Sequence, residues 1–143
     1  MTDEANVLTA VRQRNAAVAR GDAEAIVAPL GDEVTLYTLA PPLAHSGSDA
    51  RDAEAVQAWL ATWESPPRIE LRDPTVLVDG DLAVVFGFSA MRGAKVDGED
   101  DTLWYRSTTV LQRRASQWSI VHEHESVPFL MDGSNKAALD LKP

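Results

Sequence analysis

The chain has 143 residues, enough for one domain with a core of its own, and no cysteine, which removes disulfides, thiol nucleophiles, iron–sulfur clusters and thiolate zinc sites together. Its formal net charge of -9, from 22 acids against 13 lysines and arginines, argues against nucleic acid and anionic membrane as partners, because both are bound through clustered basic residues. Only Arg113 and Arg114 are adjacent, and no segment reaches bilayer-spanning length or pairs a basic start with an apolar run, so the expectation is a cytoplasmic protein without cofactor.

Val7, Leu8, Val11 and Val18 recur at helical spacing among alanines, which predicts a helix over residues 3–20 that stops at Gly21. Asp22 can cap a short second helix, residues 23 to about 28, ending near Pro29 and Gly31. Residues 34–39 are β-branched and aromatic enough for a strand. "LAPPLAHSGS" then forces a loop, since paired prolines suit neither helix nor ladder. A third helix is expected from about residue 49 to 63, with Val56, Trp59, Leu60 and Trp63 on one stripe and Ser65, Pro66 and Pro67 at its end.

After Pro67 the period shortens to two. Residues 68–78, 82–91, 102–114 and 117–127 read as four strands, joined by Asp79-Gly80, by the polar loop 93–101 and by Ala115-Ser116. Residues 128–143 form a tail with too little pattern to assign, although Phe129, Leu130 and Met131 should bury something on the domain or on a partner. Helices followed by a long meander of strands indicate an α+β fold, with residues 1–143 as a single domain. Strand 82–91, "LAVVFGFSAM", is apolar on both faces; the helices can cover one, and a second copy of the chain, making a homodimer, the other.

The stretch "WSIVHEHES", residues 118–126, carries the densest chemistry. Strict strand alternation sets His122, His124 and Ser126 with Trp118 and Ile120, and sets Glu123 and Glu125 on the opposite face with Val121 and Val127. The four ionisable groups therefore cannot share one site. Two histidines at i and i+2 could begin a zinc site, but the remaining histidine, His45, stands in the proline loop, so no metal is expected; hydrogen bonds to Ser126, Thr108 or a partner chain account for them as well. Asp97, Asp100 and Asp101 in "VDGEDD" lack calcium-loop spacing and read as a solvated turn.

The order helix, helix, strand, helix, four strands, together with "YRSTTVLQRRASQWSIVHEHES" and the trailing "SVPFLMDGSNKAALDLKP", resembles the SnoaL-like branch of the nuclear transport factor 2 and ketosteroid isomerase superfamily. It is similar also to the association domain of calcium/calmodulin-dependent kinase II. The resemblance implies a curved antiparallel sheet, a cone-like half-barrel packed by three N-terminal helices. It further implies a pocket between the concave face and helices one and three, and a dimer on the convex face. A steroid isomerase of this kind needs an aspartate base after helix two and an oxyanion hole of tyrosine and protonated acid. Here Tyr37, Thr38 and Leu39 lead into Ala40, Pro41 and Pro42, and helix one has no tyrosine, so that mechanism is not expected. What the resemblance implies instead is a pocket for an unidentified apolar or polyketide-like small molecule, with acid/base isomerisation, cyclisation or hydrolysis as admissible chemistry. The alternative is a non-catalytic dimerisation or ligand-sensing module, and whether the protein is an enzyme stays open.

Two registers are open for the last hairpin, because Ala115-Ser116 can close a two-residue turn or join a three-residue turn with a bulge. The first sets Arg106 opposite Glu125. The second, favoured by the resemblance, sets Tyr105 opposite Glu125 and Ser107 opposite Glu123. The concave face then carries Tyr105, Ser107, Thr109, Glu123 and Glu125, with Tyr37, Trp59 and Trp63 as ligand-binding walls and the two glutamates as the catalytic pair. Two desolvated carboxylates in a cavity repel each other, and both effects raise a pKa toward the working range of a general acid or base. Against this, the glutamates could stand on a solvated rim or be neutralised by Arg106 or Arg68. If the other face lined the cavity, the site would pass to His122, His124 and Arg106.

Overall fold

Capping side chains set where each helix begins. In the computed structural model, which describes residues 1–143, the first helix, α1 (Asp3–Arg20), starts where Thr2 Oγ1 accepts the Ala5 N–H at 3.1 Å. It stops at Gly21, whose φ of 69° is left-handed and where a Cβ would meet the Pro66 ring at 3.0 Å. Asp22 caps α2 (Ala23–Val27) by accepting the Ala25 N–H at 3.1 Å. The chain then enters β1 (Leu30–Tyr37) and, past a loop with a cis Pro41–Pro42 bond, the two-residue β2 (His45–Ser46). Helix α3 (Ala53–Leu60) begins later than its apolar stripe suggests, because Asp52 takes the N–H groups of Glu54 and Ala55 and so fixes the cap there. Four strands follow: β3 (Arg68–Asp79), β4 (Leu82–Ala94), β5 (Asp100–Arg114) and β6 (Gln117–Ser126).

These strands make one curved sheet in the order β2-β1-β6-β5-β4-β3, antiparallel throughout except where β1 runs parallel to β6. The architecture is α+β, as the order of elements implies. β1 starts at Leu30, ahead of its β-branched run, since Leu30 pairs with Ile120 across the parallel ladder, a partner distant in sequence. Val7 and Val11 of α1 pack on Val34, Leu36, Val85, Leu111 and Ile120 to form the main core. A second cluster joins Ala17, Val18, Ile26 and Leu60, which ties α3 to α1 and α2.

The β5–β6 hairpin differs from both expected registers. Ala115 and Ser116 have φ of 51° and 66°, a two-residue turn of the primed type, and Arg114 pairs with Gln117, so the favoured three-residue turn is corrected. A bulge does occur, but inside the strand: Leu111 pairs with Ile120 and the next residue, Val110, pairs with His122, leaving Val121 extra. That single residue moves Glu123 and Glu125 onto the face of Ile120, contrary to strict alternation. Thr109 now stands opposite Glu123 and Ser107 opposite Glu125.

The tail also departs from expectation. Phe129, Leu130 and Met131 are 56%, 39% and 88% exposed, because the bonds Leu130 N–H to Lys136 C=O and Ala138 N–H to Pro128 C=O fold the segment on itself and aim those side chains out. Ala138 is the tail residue that is buried. No helix is long and apolar enough to cross a membrane.

Candidate functional site

Between the concave sheet and the helices lies a cavity of about 380 Å³. Val11, Arg14 and Val18 of α1 and Val56 and Trp59 of α3 form its roof; Leu36, Leu71, Val85 and Met91 form apolar parts of the sheet side. The polar floor is Ser89, Tyr105, Ser107, Thr109, Glu123 and Glu125, all on strand positions that the pleat turns inward. Thr38, His45, Asp49 and Asp52 line the end nearest the proline loop.

Arg14 determines the electrostatics of the floor. Its Nη1 donates to both carboxylate oxygens of Glu123, at 3.0 and 2.9 Å, and its Nε donates to the Ile26 carbonyl at 3.0 Å. Both side chains of this pair are only 15% exposed. Thr109 Oγ1 adds a third bond to Glu123 at 3.2 Å. Burial alone would lower the Arg14 pKa, but the charge and hydrogen bonds of Glu123, with the charge of Glu125, raise it instead, so the guanidinium stays charged.

Glu125 has no such partner. Burial, and then the negative charge of Glu123, push its carboxyl up to about 8, with Arg14 and the Tyr105 hydroxyl pulling the other way. Tyr105 is itself raised, foremost by burial and then by the charges of Glu125 and Glu123. Near neutral pH the floor thus holds one compensated ion pair beside a protonated carboxyl and a phenol hydroxyl. Two such donors can meet a carbonyl or developing enolate oxygen, and the carboxyl can give up its proton as a general acid.

Six of the residues singled out in the sequence line this cavity: Glu123, Glu125, Tyr105, Ser107, Thr109 and Trp59. Trp63 does not; its ring packs edge-on against Trp59 at 6.0 Å, with the Lys95 ammonium 4.1 Å from its centre. Tyr37 is a further correction, for alternation along β1 turns Leu36 inward and Tyr37 out, where its ring meets His122 and His124 at 4.7 and 5.2 Å. On that convex face His122 Nδ1 donates to the Thr35 carbonyl at 2.7 Å and Arg106 Nε donates to Ser126 Oγ at 3.1 Å. His122, His124 and Arg106 therefore stand together but away from the cavity. Neither Arg106 nor Arg68 bonds the glutamates, and no cluster of three or more His, Asp or Glu side chains is arranged to hold a metal ion.

Sequence reasoning passed over Arg14, Ser89 and Asp49, and weighed His45 only as a metal ligand. A signal existed for the first: Arg14 falls in phase with Val7, Val11 and Val18, a charge set in an apolar stripe. His45 becomes part of the cavity only through the β1–β2 pairing, which the prolines conceal.

A family model described as a SnoaL-like domain matches residues 7–130. Among solved structures, an NTF2-like protein of unknown function from Pseudomonas putida shares 29% identity over 98% of this chain and 96% of that one, with a TM-score of 0.83. The CaMKII hub of S. rosetta shares 26% identity over 88% of this chain and 97% of that one, at a TM-score of 0.67. A ketosteroid isomerase-like protein from Erwinia carotovora atroseptica is similar in fold, with 21% identity over 87% and 95% of the two chains and a TM-score of 0.72. No curated protein matches the chain.

Proposed function

The chain belongs to the SnoaL-like domain family, and we propose that its cavity binds a mostly apolar, uncharged small molecule and acts on it by acid/base chemistry centred on Glu125. One observation carries this reading: a desolvated carboxyl, pushed up to about 8, opens onto an apolar cavity whose one cation is already engaged by Glu123. Glu123 holds Arg14 in place and Glu125 keeps the exchangeable proton. Asp49 and Asp52 at the loop end make the cavity acidic, which disfavours an anionic ligand. Trp59 supplies a flat apolar surface, while Ser107 and Thr109 offer hydroxyls beside the acids.

The neutral naphthyl ketone prodan, whose emission reports polarity, tests this reading. Its carbonyl should accept from protonated Glu125 or Tyr105, so binding should be saturable and should weaken as pH rises through about 8. Glu125→Gln, which keeps a donor but cannot ionise, should bind without that dependence. Saturable binding indifferent to both pH and Glu125→Gln would sink the assignment.

A homodimer belongs to the same proposal. Phe86 and Phe88 on the convex face of β4 are 41% and 49% exposed, and a second copy of that face is the occupant whose apolar surface matches. Dimerisation does not compete with the ligand site, since the two lie on opposite faces of the sheet.

A further inference from the structure

The loop end of the cavity holds a pair of side chains with no role in the chemistry at its floor. His45 Nδ1 lies 2.9 Å from Asp49 Oδ2, and both residues line the cavity. The chain fixes this arrangement: β1 pairs with β2 at Leu36↔His45, directly opposed residues of an antiparallel pair share a face, and Leu36 faces inward. Asp49 follows in the next turn, its N–H bonded to the Ser46 carbonyl at 3.2 Å. The His45 side chain is 30% exposed against 70% for Asp49, so the imidazole is the inner member.

The direction of the hydrogen bond sets the tautomer. A carboxylate accepts, so Nδ1 carries a proton, and in the neutral ring it is Nε2 that carries the lone pair. Nδ1 is the only ring atom of His45 bonded within the protein, which leaves Nε2 to meet a ligand. The neighbouring charges do not compete for it: Arg51 is drawn to Asp32 at 2.9 Å, Asp52 caps α3, and Arg14 is held by Glu123 across the cavity. Glu125 and Tyr105, both protonated, line the same cavity, and the ladder partners run His45–Leu36–Glu123 from the loop end to the floor. A cavity with an acid at its floor and a free imidazole lone pair at its loop end has both halves of a proton-transfer machine.

We propose that His45, oriented by Asp49, is a general base at the loop end of the cavity, for a neutral ligand that presents an acidic C–H to Nε2 and a carbonyl oxygen to Glu125 and Tyr105. This rests on the cavity being the ligand site. In the step implied, Nε2 takes the proton from the carbon beside the carbonyl. The C–H electron pair becomes a new carbon–carbon π bond, the carbonyl π pair moves to oxygen, and that oxygen receives the proton of Glu125. The product is an enol, leaving protonated His45 and ionised Glu125, which is restored when the proton passes back through water. Enolisation of this kind is the shared first step of isomerising or eliminating a carbonyl compound.

Nitrobenzisoxazole is a neutral aromatic probe for such a base. Removal of its ring C–H forms a nitrile, breaks the N–O bond and releases a coloured cyanonitrophenolate, with no other reactant. The native protein should open it with saturation. His45→Gln should lower the saturating rate by about 10²-fold or more, the scale of general-base catalysis. Asp49→Ala, at an exposed position that folding tolerates, should lower it by a smaller factor, and nitrogen NMR of the imidazole should show His45 losing its single Nδ1–H tautomer. Saturable turnover unchanged in His45→Gln, or a probe that binds without being opened, overturns the dyad and leaves the cavity reading standing. A probe that neither binds nor quenches the tryptophan emission of the native protein overturns the cavity reading and the dyad with it.

Discussion

Arg14 stands in the apolar stripe of α1, and its bond to Glu123 decides what is left for Glu125. Had Arg14 bridged both acids, neither would keep a proton near neutral pH; bound to one, it leaves the other to burial and to like-charge repulsion. The consequence for stability has a definite sign. Glu125 is raised from an ordinary 4.5 to about 8, so between these values the folded state holds a proton that the unfolded chain has released, and stability falls as pH rises across that window. The stabilisation is fully present below 4.5 and gone above about 8. Urea midpoints of the native protein should therefore decline over this range relative to Glu125→Gln, whose own profile lacks the contribution. Parallel profiles would mean that Glu125 is ionised in the cavity from the start. Both glutamates were legible as site candidates from the sequence. The division of labour between them was not, because it depends on a cation 109 positions away whose only trace is its phase in a helix.

The bulge at Val121 explains why strict alternation assigned companions wrongly. Residues before it keep the parity of the turn, residues after it take the opposite parity, and Ile120 thereby shares a face with Glu123. The four strands themselves were legible in their two-residue period and turn signals, and β3 to β6 lie almost where that pattern sets them. An extra residue in a ladder leaves no mark on composition, so the register had to come from pairing. The turn is testable on its own. Ala115 and Ser116 both occupy positive φ, which glycine adopts without strain and a residue with a Cβ does not. Ser116→Gly should stabilise the protein by roughly 0.5–1 kcal/mol, the left-handed penalty removed less the chain entropy that glycine adds. Denaturant melts read this directly, and a loss of stability would show that residue 116 is not in the left-handed region.

At the scale of the whole molecule, the sheet presents two unlike surfaces on its two faces. The helices and α3 close the concave side over the cavity, while the convex side keeps a row of large apolar side chains that nothing in the chain covers. Phe86 and Phe88 are its centre, with Leu77 and Leu82 exposed nearby at 56% and 49%, and Trp104 under the Arg72 guanidinium at 5.5 Å. The two-sided apolar strand 82–91 carries the expectation of a partner, because one set of helices covers one face only. A stable interface buries about 800 Å² on each partner, which a sheet face supplies and a few scattered residues do not. A twofold pairing would bring each Phe88 near its own copy or near Arg72 and Arg106, its neighbours across the ladders. Phe88→Glu is tolerated in the free chain, since the position is half exposed and two arginines flank it, but it would place a charge inside a desolvated interface. Sedimentation of the native protein at micromolar concentration should give about twice the 15.5 kDa chain mass, and Phe88→Glu should give the chain mass with prodan binding retained. His124→Ala, at the rim beside Tyr37, should weaken the dimer without abolishing it. A dimer indifferent to Phe88→Glu would shift the interface to the exposed Phe129 and Met131 of the tail, and loss of prodan binding in the monomer would show that the two faces are coupled through the sheet.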